Sequence, residues 1–147
     1  GTTQVGVAAA DRVLDRTMTI RFDASRNDGL PWEFEPLDRA VTVQVGESAL
    51  AYFRATNTSD RPITGVATYN VTPYKAAPYF VKLECFCFTE QTLQPGETVE
   101  MPVLFFVDPE IESDRRTDDV TTITLSYTFF EGEESDAGAA SGRDAAP

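Results

Sequence analysis

The 147-residue chain contains no histidine. That absence excludes Ser-His-Asp and Cys-His catalysis, histidine general bases and every imidazole metal site. It also excludes blue copper, which needs two histidines. Cysteine is almost absent as well: the two present, Cys85 and Cys87, stand two residues apart. An antibody-type domain would need two cysteines far apart in sequence to bridge its sheets. Positive charge is scarce, with 12 Lys and Arg against 24 Asp and Glu. A net charge of −12 argues against nucleic acid as a partner, because phosphate binding needs a basic surface. No apolar run approaches the ~18 residues of a membrane span, and no signal peptide is visible. The sequence opens on Gly1-Thr2-Thr3 without Met, so the expectation is a soluble, processed or truncated piece.

What is present suits one globular domain: 41% hydrophobic and 11% aromatic residues can fill a core. The acidity is uneven. Residues 108–119 hold six acids and two arginines, and residues 131–147 hold five acids and one arginine. The two stretches read as a solvated loop and a disordered tail; the competing reading is a steering surface for a basic partner. Residues 1–16 read as a polar lead-in, with a short helix expected over Ala8–Arg16.

Strand signals begin at Thr17, where Met18, Ile20 and Phe22 alternate with polar residues. Trp32, Phe34 and Leu37 surround a short extended piece. Val41, Val43 and Val45 alternate next, then Leu50, Tyr52 or Phe53, and Ala55. Ile63–Val71 is rich in β-branched residues, Thr72–Pro78 is a proline-containing loop, and Phe80–Phe88 is extended again. Leu93-Gln94-Pro95-Gly96 places proline and glycine where a type II turn needs them. Val99–Val107 and Val120–Phe130 complete the set. Seven or eight strands with turn signals every ten or so residues predict an all-β, immunoglobulin-like antiparallel β-sandwich. Asn57-Thr58-Ser59 and Asn70-Val71-Thr72 match the glycosylation sequon, a triplet too common to carry weight.

Cys85-Phe86-Cys87-Phe88 is the stretch with chemistry. On an unbroken strand residues i and i+2 share a face, so both sulfurs would project together and both phenylalanines away. A disulfide is disfavoured, because extended i and i+2 α-carbons lie ~6.5–7 Å apart. Three readings compete: two buried structural cysteines, a thiol–disulfide redox pair, and a metal site. Two thiolates without histidine make a poor zinc or iron–sulfur site, since each wants four ligands. Copper(I) is soft and accepts two or three sulfurs, and two chains together would offer four. Met18 and Met101 are candidate thioether ligands for which core packing is the simpler role. Lys82, one of two lysines, falls by strand parity on the Phe86 side, and its default reading is a solvated surface lysine.

These residues resemble the CtaG-type cytochrome c oxidase assembly proteins. The similarity runs from Cys85-Phe86-Cys87-Phe88 into Thr89-Glu90-Gln91, Leu93-Gln94-Pro95-Gly96-Glu97 and Met101–Pro109. It also takes in Arg21–Ala24, Leu30–Phe34, Asn70–Pro73 and Leu125–Phe130, and so covers about residues 1–130. The resemblance implies a non-enzymatic copper(I) metallochaperone, with Cu(I) held by Cys85 and Cys87 and delivered to the copper B site of cytochrome c oxidase subunit I. It implies an immunoglobulin-like domain (17–130) on the periplasmic side of the bacterial inner membrane. An N-terminal helix missing here would anchor it, making residues 1–16 a juxtamembrane lead-in. A copper donor protein and a copper-linked homodimer are the further partners it implies. The alternative function is a thiol reductant that keeps a partner's cysteines reduced during oxidase assembly.

Overall fold

A computed structural model of the chain describes residues 3–4, 12–84 and 90–132. The described residues form ten strands and no α-helix. In chain order these are β1 (Thr3–Gln4), β2 (Thr17–Arg26), β3 (Trp32–Pro36), β4 (Ala40–Gln44), β5 (Ala49–Asn57), β6 (Ile63–Thr72), β7 (Phe80–Glu84), β8 (Glu90–Leu93), β9 (Thr98–Val107) and β10 (Thr122–Glu131). One sheet runs β1-β5-β9-β7 with β3 also on β5, and the other runs β4-β2-β10-β6-β8. The chain is thus a β-sandwich, as its alternation predicts. All pairings are antiparallel except one: β2 and β10 run parallel over eight residues, Thr122↔Thr19 to Phe129↔Arg26. Short alternating strands cannot reveal this, because a parallel pair between the second and last strands depends on the whole path between them.

The inward rows are those that the alternation marks: Met18, Ile20 and Phe22 on β2, and Ile123, Leu125, Tyr127 and Phe129 on β10, are all buried. Phe53 sits at the centre of an aromatic cluster. Its ring meets Phe22 edge-on at 6.0 Å, stacks on Phe34 at 5.6 Å and meets Tyr127 at 5.0 Å. Each such pair contributes roughly 0.5–1.5 kcal/mol beyond area burial. Trp32 closes one end against Phe129. Its indole occupies the space a side chain on Gly65 would fill, a Cβ there coming within 2.6 Å of the ring.

Three expectations need correction. On β5 the inward row is Ala49, Ala51, Phe53, Ala55 and Asn57, with Leu50 and Tyr52 on the outer face. The small alanines leave room for the aromatic rings, so residue size misstates the phase. No helix forms over 12–16. That segment is extended, with the Leu14 N–H donating to Val45 O and the Val45 N–H to Arg16 O, both at 2.9 Å. The part of the expected helix at 8–11 lies outside the described residues, as do 133–147 of the tail. Finally, pairing passes residue 130: Glu131 faces Gly65, and the Gly132 N–H donates to Thr64 O.

The turns follow their residues. Gly96 has φ 76° and the Glu97 N–H donates to Gln94 O at 2.9 Å, closing the proline–glycine turn. Asn57 of the first sequon is fully buried. Its Nδ2 donates to Arg61 O and Leu93 O, and its Oδ1 accepts from the Ser59 N–H. Residues 108–119 are a connection built of two short 3-10 helices, Pro109–Ser113 and Arg115–Thr117.

Candidate functional site

β7 and β8 are edge strands of opposite sheets. The chain therefore passes from one sheet to the other between Glu84 and Glu90, and that passage carries both cysteines. Cys85, Phe86, Cys87, Phe88 and Thr89 lie outside the described residues. Their flanks are fixed: Glu84 pairs with Leu104 of β9, and Glu90 with Val66 of β6.

The ladder leading into the passage is not regular. Lys82 pairs with Phe105 and Glu84 with Leu104, so one residue is inserted between them. Such a bulge resets the alternation. Parity counted from Lys82 therefore does not carry through to Phe86, and the argument that set Lys82 apart from the sulfurs loses its basis.

Lys82 is also not a free surface lysine. It shares the inward row of β7 with buried Phe80, whose ring stacks on Phe105 at 5.2 Å. From there its Nζ lies 3.4 Å from the centroid of the Tyr69 ring, on β6 of the other sheet. The pair bridges the sheets at the flank where β8 covers only residues 63–66 of β6. Beside it opens a groove of about 420 Å³, walled by Tyr69, Tyr74, Ala77, Pro78 and Phe80. Sequence reasoning missed this pair. The signal was the i, i+2 spacing of Phe80 and Lys82, which puts the lysine in a core row.

The groove wall is clipped to the acidic connection. The Tyr79 hydroxyl donates to Asp114 Oδ2 at 2.7 Å, while Arg116 donates from Nε to Oδ1 at 3.0 Å and from Nη2 to Oδ2 at 2.8 Å. The Arg116 guanidinium, then the Tyr79 hydroxyl, hold the Asp114 carboxyl well below the usual range. Hydrogen bonding to Asp114 raises the Tyr79 phenol in turn. The acidic stretch is thus partly structural: Asp114, its side chain only 10% exposed, ties the connection to Tyr79.

Met18 and Met101 are buried at 1% and 3% exposure within the core, where packing accounts for both. Among the described residues no group of three cysteine or acidic side chains converges as a metal site.

Residues 1–131 match the family described as cytochrome c oxidase assembly protein CtaG/Cox11. A cytochrome c oxidase assembly protein CtaG from Roseobacter denitrificans is 57% identical over 131 residues, covering 89% of this chain and 68% of the relative. Those from Ruegeria pomeroyi and Mesorhizobium japonicum are 56% and 57% identical, over 89% and 91% of this chain and 69% and 65% of the relative. The chain therefore spans about two thirds of the length of these relatives.

Proposed function

Starting from the fact that this chain belongs to the CtaG/Cox11 family of cytochrome c oxidase assembly proteins, we propose that it is a copper(I) carrier in that assembly. Cys85 and Cys87 hold the ion, which is cargo rather than a resident cofactor. The observation that carries this reading is the donor set: two thiols at i and i+2, no histidine, and a position where the chain crosses between two sheet edges. Soft thiolates select copper(I), and no competing imidazole is present.

The receiving partner in this reading is subunit I of the oxidase, at its copper B site, and a separate protein supplies the copper. The domain works on the periplasmic side of the bacterial inner membrane, held there by a segment outside this sequence. Its action is transfer without catalysis. Two thiolates leave copper(I) under-coordinated, so two chains facing each other share four sulfurs across two ions. A two-fold pairing of the same patch satisfies this without new ligands.

The test is copper per chain, measured with mass in solution, for the reduced protein and for Cys85→Ser and Cys87→Ser. The native chain should bind copper(I) and double in mass, and each variant should fold but lose both responses. Binding should weaken at acid pH, because the thiols must lose protons first. Full copper loading and an unchanged mass shift in both variants would overturn the site. Failure of the reduced native chain to hold copper(I) against a competing thiol chelator would favour the thiol reductant instead.

A further inference from the structure

We propose that the groove between β6 and β7 is a binding site for a carboxylate carried on an aromatic or apolar body. Three observations converge on it. First, the groove holds about 420 Å³, within the range of small-ligand sites, and its walls combine the rings of Tyr69, Tyr74 and Phe80 and the aliphatic Val71, Ala77 and Pro78 with one neutral amide, Asn70. Second, among the described residues no acidic side chain lines it, in a protein with a net charge of −12. Third, its one charge is a cation without an anionic partner among the described residues. Lys82 Nζ lies on the Tyr69 ring face and makes no described ion pair, whereas Lys75 is paired with Asp119 at 2.9 Å.

An ammonium held on an aromatic face keeps donors directed away from the ring. A carboxylate entering the groove would take those donors while its apolar body lies along Tyr69, Tyr74 and Phe80. Tyr69 and Tyr74 are 45% and 73% exposed, so the platform stands open for this contact. The domain elsewhere repels anions, which makes a local cation in an acid-free groove selective for them.

A competing role for an inward lysine on an edge strand is protection against strand-to-strand association, reinforced by the adjacent bulge. The two roles separate experimentally. The chain has two lysines, so ε-¹³C-lysine labelling gives two side-chain signals, with Lys75 as internal control. Phenylacetate should shift the Lys82 signal saturably and leave Lys75 still. Neutral phenylacetamide should bind about tenfold more weakly. Lys82→Gln should abolish the preference for the acid, and Tyr69→Ala should weaken both ligands. A capped Phe-Glu dipeptide that displaces phenylacetate identifies the source as an acidic side chain of a protein partner; a dipeptide that fails to do so identifies a free small acid. Equal binding of acid and amide, parallel movement of both lysines, or no saturation in the millimolar range would overturn the proposal. So would a Lys82→Gln variant that self-associates while its phenylacetate binding is unchanged. None of these readouts involves copper, so failure here leaves the thiol site untouched, and failure of the thiol site leaves this one standing.

Discussion

The two flanks of the sandwich are built from the same alternating strands and finish differently. On one flank β3 lies along β5, and Trp32, Phe34, Phe53 and Phe129 close the gap with rings in mutual contact. On the other flank, β7 and β8 are short edge strands, and the inward rows carry Lys82 and the exposed Tyr69. The first flank is closed by buried rings. The second keeps polar atoms at positions that period and register assign to the interior. Packing is thereby concentrated on one flank, and β7 and β8, which precede and follow the cysteines in sequence, edge the other.

The largest effect should come from the sealed flank. Phe53→Ala removes a fully buried ring that touches Phe22, Phe34 and Tyr127, and should cost ~3–5 kcal/mol in urea unfolding. A loss below ~1 kcal/mol would show that the cluster collapses around the gap and that the flanks do not differ as described. Next is Gly65→Ala. The added methyl would meet the Trp32 ring at 2.6 Å, and overpacking of this kind costs ~1–3 kcal/mol. A shift in Trp32 fluorescence should accompany the loss, because the indole must move to admit the methyl.

How much of this was legible beforehand differs between the flanks too. The inward rows of β2, β4 and β10 could be read directly, because large apolar and polar residues alternate along most of each strand. β5 could not: Ala49 and Ala51 face inward while the larger Leu50 and Tyr52 face out, and only the rings of the other sheet explain the choice. The lead-in looked helical from its alanines, yet residues 12–16 are claimed by backbone bonds to Val45 and by Arg16, whose Nη2 donates to Thr117 O at 2.8 Å. Those contacts lie about 30 residues away for Val45 and 101 for Thr117, beyond any local propensity. At the site, residue types single out Cys85 and Cys87 as candidate ligands, and both lie outside the described residues. The pairing of Lys82 with Tyr69 could not be read, because it depends on which sheets β6 and β7 join.

A smaller effect is expected where the open flank is clipped to the connection. The Asp114 carboxyl titrates below its ordinary value of 3.8 in the folded chain. A group with a depressed folded pKa stabilises above its unfolded value and loses that contribution as pH falls through the folded one. The Asp114 contribution should thus be complete at neutral pH and decline below about pH 4. Asp114→Asn should lower the melting temperature at pH 7 by less than Gly65→Ala does, and flatten the dependence between pH 5 and the acid limit of the measurement. A variant that melts with the native pH profile would show that the Tyr79–Asp114–Arg116 clip contributes nothing, and that the groove wall is held by its backbone bonds alone.

The smallest effect should be at Lys82 itself. Lys82→Met keeps an unbranched stem in the inward row of β7 and removes only the charge. What is lost is a cation–π contact at a partly exposed site, worth ~0.5–1 kcal/mol, and part of that returns because a thioether also packs well on a ring. Urea unfolding of the variant should therefore fall within ~1 kcal/mol of the native chain, while Phe80→Ala, two residues earlier in the same row, should cost several times more. The ratio is the informative quantity. Phe80 is packed on Phe105 inside the sandwich, whereas Lys82 sits where the row emerges at the groove, so the drop between them marks where the core stops. A Lys82→Met loss as large as that of Phe80→Ala would place Lys82 in the core, and the open flank would then be a second sealed one.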